Sequence, residues 1–240
     1  MHVTIATPAR GHAVEALQRA RARIGTVGCQ QVGKVGGSRA LVIHAHNVSS
    51  RPAPPGTALC QAWAVVVVRE AAPSDAAGIG AAHAEAWRVG YCELFGEAFL
   101  DSAVEDRRNR WVSQTVRPAA DGSALLVAEL DGDIAGFVHA GRATDDAEAG
   151  EVFGFYVHPR YWGTGVAQAL FDRAVHILRA DGLDHLFLWT HGGAQRARRF
   201  YERNGWSVTG RVRQHDFGDG HQSLLVEYAQ DVTRTLTRLD

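Results

Sequence analysis

The chain has 240 residues, 46% of them hydrophobic, with 25 basic and 26 acidic side chains and a net charge of −1, enough apolar material for one ordinary domain with appendages. The charge is unevenly spread: residues 1–63 hold seven basic residues against the single acid Glu15, which leaves the rest acidic by about seven charges and argues against nucleic acid as a partner of the main body. Cys29, Cys60 and Cys92 are too scattered for a disulfide framework or a paired metal site, and the longest apolar run, "AWAVVVV" at 62–68, cannot span a bilayer, so a cytoplasmic protein with no membrane partner is expected.

Residues 1–63 lack sustained periodicity, offer one short helix in "HAVEALQRARARI", and end in the Pro-rich "SSRPAPPGT". They are expected to be an extension outside the domain, either a mobile tail or upstream sequence translated from a misassigned start. A domain over 64–232 and a tail at 233–240 follow. "AVVVVRE" reads as a strand, and "PSDAAGIGAAHAEAW" as a helix with Ser74 or Asp75 at its N-cap. A second helix is expected near 101–116. "SALLVAEL" and "IAGFVHAGR" flank "DGD", a tight hairpin, because Asp-Gly supplies the positive φ such a turn needs.

"EVFGFYV" is the next strand, stopped by His158-Pro159, and Gly163 and Gly165 then lead into a helix over about 165–181. "HLFLWTH" is a buried-type strand, "AQRARRFYERNG" a short helix ended at Gly205, and strands near 207–215 and 222–228 bracket "DFGDG". The order predicts one α/β domain on a mixed sheet. Glycines at a helix N-terminus allow close approach of an anion to unpaired N–H groups, so "WGTGVAQ" reads as a pyrophosphate cradle. It fits neither the dinucleotide fingerprint, since Gln168 stands where Gly or Ala is wanted, nor a P-loop.

The succession "YVHP", "RYWGTGVAQAL", "LFLWT" and "ARRFYERNGW" resembles the GNAT superfamily of N-acetyltransferases, and "REAAPSDAAGIGAAHAEAWRVGYCELF" resembles the opening of one of its branches. The resemblance covers about 64–231. It implies a mixed, mostly antiparallel sheet of about seven strands flanked by helices, with a V-shaped splay between the fourth and fifth, here 151–157 and 185–190. It implies that acetyl-CoA is the cosubstrate, held by Phe155, Tyr156 and Val157 of the diverging strand and by Trp162, Gly163, Thr164, Gly165, Val166, Ala167 and Gln168 of the loop. Set against the family's Arg/Gln-x-x-Gly-x-Gly/Ala loop, both small positions match, and Trp162 is read as standing where the family has Arg or Gln. Ala194 replaces a frequent Asn, which puts one pantetheine contact in doubt.

Acetyl transfer to an amine needs a proton taken from the amine, a stabilised oxyanion and a proton supplied to the departing thiolate. The resemblance assigns Tyr201 as the catalytic acid near the coenzyme sulfur, also in contact with the cofactor, against a plain packing role. It assigns Glu151 as the base acting through water, against a solvated charge. Gly154 can carry a bulge that changes which residues share a face with Glu151. His191 is the fallback base or substrate contact. Trp87, Tyr91 and Phe95 recur every four residues, either as a core stripe or, for Trp87 and Tyr91, as acceptor contacts. No metal site is expected, since no ligand pattern such as His-Glu-x-x-His occurs.

The expected activity is direct transfer of acetyl to a primary amine of a small molecule. Acetylation of a protein N-terminus or lysine, and a non-catalytic acyl-CoA-binding module, stay open. So does a homodimer through the late hairpin.

Overall fold

The computed structural model describes residues 3–6, 40–45, 64–113 and 122–231; the helix read in "HAVEALQRARARI" and the tail 233–240 lie outside these residues. In chain order the elements are β1 (Val3–Ala6), β2 (Ala40–Ala45), β3 (Ala64–Glu70), α1 (Ala76–Gly90), α2 (Glu97–Ser113), β4 (Ala124–Leu130), β5 (Asp133–Arg142), β6 (Ala149–Val157), α3 (Val166–Ala180), β7 (His185–His191), α4 (Gln195–Arg203), β8 (Ser207–Asp216) and β9 (Gln222–Asp231). The sheet runs β1-β2-β3-β4-β5-β6-β7-β9-β8. Its seven strands β3–β9 are those expected from the sequence, and two short β-branched stretches that drew no strand reading, "VTIA" and "ALVIHA", pair antiparallel onto the β3 edge.

Every neighbouring pair is antiparallel except β6 and β7, which are parallel over only Ala149–Val152 against His185–Leu188. Beyond Val152, β6 stays paired to β5 while β7 stays paired to β9, so the sheet opens into the expected V. The β4–β5 turn holds Asp131 at φ 55° and Gly132 at φ 89°, the double positive φ of a type I′ hairpin.

The two faces of the sheet are covered by different helices. On one, α3 buries Val166, Ala169, Leu170, Phe171, Ala174 and Leu178 in a core shared with Val152, Val157, Leu186, Leu188 and Tyr201. On the other, Trp87 and Ala84 of α1 pack with Phe95, Leu100 and Val104. Asp75 does not cap α1. Its carboxylate is taken instead by Arg69 at 2.6 and 2.9 Å and by the N–H of Ala72 at 2.7 Å, which fastens the start of the helix to β3 and, through Arg69 and Glu129 at 3.2 Å, to β4.

Candidate active site

The β5–β6 register shifts so that His139 faces Gly154 while Ala140 faces Val152. One extra residue in β6 at this point changes the alternation, as a bulge must. Straight alternation would have put Glu151, Phe153, Phe155 and Val157 on one face. With the bulge, Phe155 and Val157 turn to the α3 core, while Phe153, Gly154 and Tyr156 line a cavity on the α1–α2 side. The same five-residue stretch of β6 therefore faces both halves of the site.

Past Val157, a short 3-10 turn at Pro159–Tyr161 leads to Gly163 at φ 82° and Gly165 at φ 92°. Gly165 occupies the N-cap of α3 with no side-chain cap, so the N–H groups of Val166, Ala167 and Gln168 begin the helix without intrahelical acceptors. A Cβ built on Gly163 meets no heavy atom of the protein within 4 Å, so the space beside the loop is open. Such a cradle suits an anion.

Counting back three residues from Gly163 places Arg160, not Trp162, at the leading position of the Arg-x-x-Gly-x-Gly pattern, which corrects the assignment of Trp162 to that position. Arg160 is exposed and pairs with Asp133 at 3.5 Å. Trp162 instead braces the loop. Its Nε1 donates to the Val157 carbonyl at 2.8 Å, and Arg196 of α4 lies 3.9 Å from the centre of its ring, so it ties the loop back to β6 and across to α4. The Gln168 side chain is equally committed, donating to Asp172 at 2.7 Å and to Asn204 at 2.6 Å, and Thr164 Oγ1 donates to Tyr161 O at 2.7 Å.

Tyr201 of α4 is buried among Phe171, Phe200 and Tyr228. Burial first, then the neighbouring phenols of Tyr156 and Tyr228, push its ionisation well above the ordinary tyrosine range. Tyr91 is pushed up in the same way, by burial and then by Tyr156 and Tyr201. Tyr91 packs on the α1 side and Tyr201 on the α3 side.

Glu151 stands on β6 ahead of the bulge, half-buried and outside the cavity wall. Burial raises its pKa, opposed by Arg213 and assisted by Asp145 and Glu227. Of the aromatic stripe, α1 ends at Gly90, yet Trp87 still stacks on Tyr91 at 4.4 Å and on Phe95 at 5.6 Å between ring centres, with Tyr91 and Phe95 tilted at 5.9 Å. Trp87 reaches the cavity wall; Tyr91 and His191 lie in the cluster behind it, with His191 Nδ1 accepting from Gly193 N at 2.9 Å. Among the described residues no group of His, Cys, Asp and Glu is arranged to hold a metal ion.

The cavity itself, about 480 Å3, is walled by α1 and α2 through His83, Trp87, Arg107, Arg110 and Trp111, by β5 and β6, and by His215, Asp216 and Phe217 of the late hairpin. Most of these were not singled out from sequence. Arg107 and Arg110 sit in "EDRRNRW", which has the composition of a solvated face; only the pairing of His83 with Trp87 at helical spacing was a signal. Trp111 Nε1 donates to His83 Nδ1 at 3.1 Å, so the neutral ring carries its proton on Nε2. Burial, with Arg107 and Arg110 nearby, lowers the His83 pKa to about 3.

That shift makes stability depend on pH. The folded pKa lies below the ordinary value of 6.5, so the contribution is complete above pH 6.5 and is lost on acidification towards pH 3, at about 1.4 kcal/mol per pH unit. Urea melts between pH 7 and 4 should show this slope, and His83→Gln should flatten it.

Residues 84–206 match the acetyltransferase (GNAT) family. The chain is 38% identical over 87 residues to a mycothiol acetyltransferase of Beutenbergia cavernae, covering 36% of this chain and 29% of the relative. It is 33% identical over 101 residues to an uncharacterized N-acetyltransferase of Mycobacterium tuberculosis, covering 42% and 62% respectively. The match thus spans less than a third of the first relative's length and under two thirds of the second's. In fold, the protein is similar to the PaiA N-acetyltransferase of Thermoplasma acidophilum solved with coenzyme A, at TM-score 0.55 and 20% identity over 69% of this chain and 98% of that one. With the family pattern matched over half its length, and with the splayed sheet and the glycine loop that follows β6 in place, this chain belongs to the GNAT acetyltransferase family.

Proposed function

We propose that the protein transfers the acetyl group of acetyl-CoA directly to the primary amine of a small molecule. One observation carries this reading: Phe153, Gly154 and Tyr156 of β6 line the cavity and Val157 of the same stretch holds the glycine loop through Trp162, where β7 has moved away. Solved relatives of this fold were crystallised with coenzyme A or acetyl-CoA, and the open space at Gly163 with the first-turn amides of α3 fits a pyrophosphate. A cavity of about 480 Å3 is the size of a small-molecule site. Relatives named for the acetylation of mycothiol support a small acceptor over a protein chain.

In the reaction the amine nitrogen bonds to the acetyl carbonyl carbon as the carbon–sulfur bond breaks. An ammonium and the thioester give an amide, a thiol and one released proton. Backbone groups of β6 freed by the splay bind the thioester, and Tyr201 donates to the departing sulfur. Glu151 draws the amine proton through water. Since burial raises the Glu151 pKa, its base form is lost on acidification earlier than that of an ordinary glutamate. Glu151→Gln is therefore expected to lower kcat/KM about tenfold or more at neutral pH and to abolish the acid limb of the rate profile.

The test is release of coenzyme A from acetyl-CoA, followed with a thiol reagent, across classes of amines. Saturable, amine-dependent release supports the reading. Tight coenzyme A binding with no release from any amine points instead to a non-catalytic binding module, and turnover confined to peptides points to a protein substrate.

A further inference from the structure

The wall of the cavity formed by α1 and α2 is rich in hydrogen-bond donors and poor in acceptors. Arg107 is 7% exposed. Its guanidinium lies 3.2 Å from the centre of the Trp87 ring and donates to Ala103 O at 3.0 Å. The nearest carboxylate, Asp106, is 3.8 Å away and is drawn to Arg110 at 2.6 Å. Among the described residues this buried guanidinium has one carbonyl and no carboxylate within hydrogen-bond distance, a costly state, since charge removed from water needs a counter-charge. Burial lowers the Arg107 pKa on balance; the Tyr156 phenol opposes this, Arg110, one turn further along α2, adds to it, and Asp106 and Tyr91 oppose it more weakly.

Two more donors share this wall. Trp87 Nε1 is fully buried and has no hydrogen-bond partner among the described residues. His83, held neutral, carries its proton on Nε2. Among the described residues of the wall the one acid is Asp216, across the cavity on the late hairpin, and its Oδ1 is occupied by the N–H groups of Gly218 at 2.8 Å and Gly220 at 3.2 Å. A neutral amine would leave all this unanswered. An acceptor with two lone-pair-rich oxygens and a negative charge would satisfy Arg107 with the geometry a guanidinium fork prefers.

We propose that the acetyl acceptor is an amine of amino-acid type, whose carboxylate is bound by Arg107 in this cavity, with Arg110, Trp87 Nε1 and His83 Nε2 around it. The proposal rests on the acetyl-transfer reading above. It makes Arg107 the residue that selects the substrate class.

The experiment compares the twenty L-amino acids with their primary carboxamides, as acceptors in the coenzyme A release assay and as ligands that shift the melting temperature of the coenzyme A-saturated protein. Phosphoethanolamine is added as an amine with a different anion. At least one acid should exceed its carboxamide about 30-fold in kcat/KM. Arg107→Gln should erase that preference by raising KM with kcat largely kept, and Arg107→Lys should restore part of it. Coenzyme A affinity reports whether each variant is folded; if Arg107→Gln is not, Arg110→Gln is expected to reduce the same preference. Carboxamides accepted as well as the acids, or a preference that survives in folded Arg107→Gln, overturns the inference while leaving acetyl transfer intact. A melting shift with acids alone, without release of coenzyme A, sinks the transfer reading but upholds the carboxylate site. Response to neither series overturns the inference, and response to phosphoethanolamine alone replaces the carboxylate with a phosphate.

Discussion

Gly163→Val is expected to weaken coenzyme A binding by about a hundredfold, or about 2.7 kcal/mol, while changing the protein's stability only modestly. Gly163 sits at φ 82°, and a Cβ there meets no protein atom within 4 Å. The substitution therefore disturbs no packing in the free protein. Its internal cost is the left-handed backbone, about 1–2 kcal/mol and worst for a β-branched side chain. In a domain of this size that lowers Tm by roughly 2–8 °C. The larger effect comes from the ligand side: the side chain fills the space into which the first-turn N–H groups of α3 open, and it moves those donors off their acceptor.

A matched control separates the two costs. Gly182, in the turn after α3, has φ 79° and equally open surroundings, but it lies at the other end of the helix. Gly182→Val should lose similar stability and keep coenzyme A affinity. Calorimetric titration with coenzyme A measures both variants; equal affinities would mean that the loop is not the phosphate cradle.

How much of this was legible in the sequence depended on how local each signal was. The Asp131-Gly132 turn and the glycine loop are read from adjacent residues whose backbone demands are nearly unconditional, and both are where the pattern placed them. Tyr201 stands out only through the resemblance of "ARRFYERNGW" to the family, and its burial beside Phe171 and Tyr228 is decided by packing. The facing of β6 was not decidable from alternation alone, since a bulge of one residue at Phe153–Gly154 reverses every later assignment. Asp75 illustrates another limit: a carboxylate in N-cap position is claimed by an arginine on the preceding strand. The cavity was the least legible part. Arg107 and Arg110 lie in a run of charges that resembles a solvated helix face, and only the packing of α2 over α1 turns Arg107 onto the Trp87 ring. Tertiary contact, not composition, decides which arginine of "EDRRNR" is buried.

The second large effect is expected at Tyr201. Tyr201→Phe should lower kcat about 10- to 150-fold, the worth of one hydrogen bond to a charged group, about 1.5–3 kcal/mol. Coenzyme A affinity should change little, because the phenylalanine keeps the contacts with Phe171 and Phe200. The direction of the pKa shift says what kind of help the phenol gives. The alkyl thiol of coenzyme A and an ordinary phenol are acids of comparable strength, and Tyr201 is made a weaker acid by burial, so complete proton transfer from phenol to thiolate is uphill. Tyr201 therefore stabilises the developing thiolate as a donor that keeps its proton, and solvent or the released ammonium proton completes the thiol. The pH profile distinguishes the two roles. Because the folded pKa is raised, the neutral phenol persists above pH 10, and wild type and Tyr201→Phe should show kcat profiles of the same shape up to that pH, differing only in height. An alkaline limb present in wild type and absent from the variant would instead make Tyr201 a true proton donor, and an unchanged kcat would remove it from the mechanism. The same shift predicts that stability attributable to Tyr201 is complete below pH 10 and falls above it, as the unfolded chain ionises first.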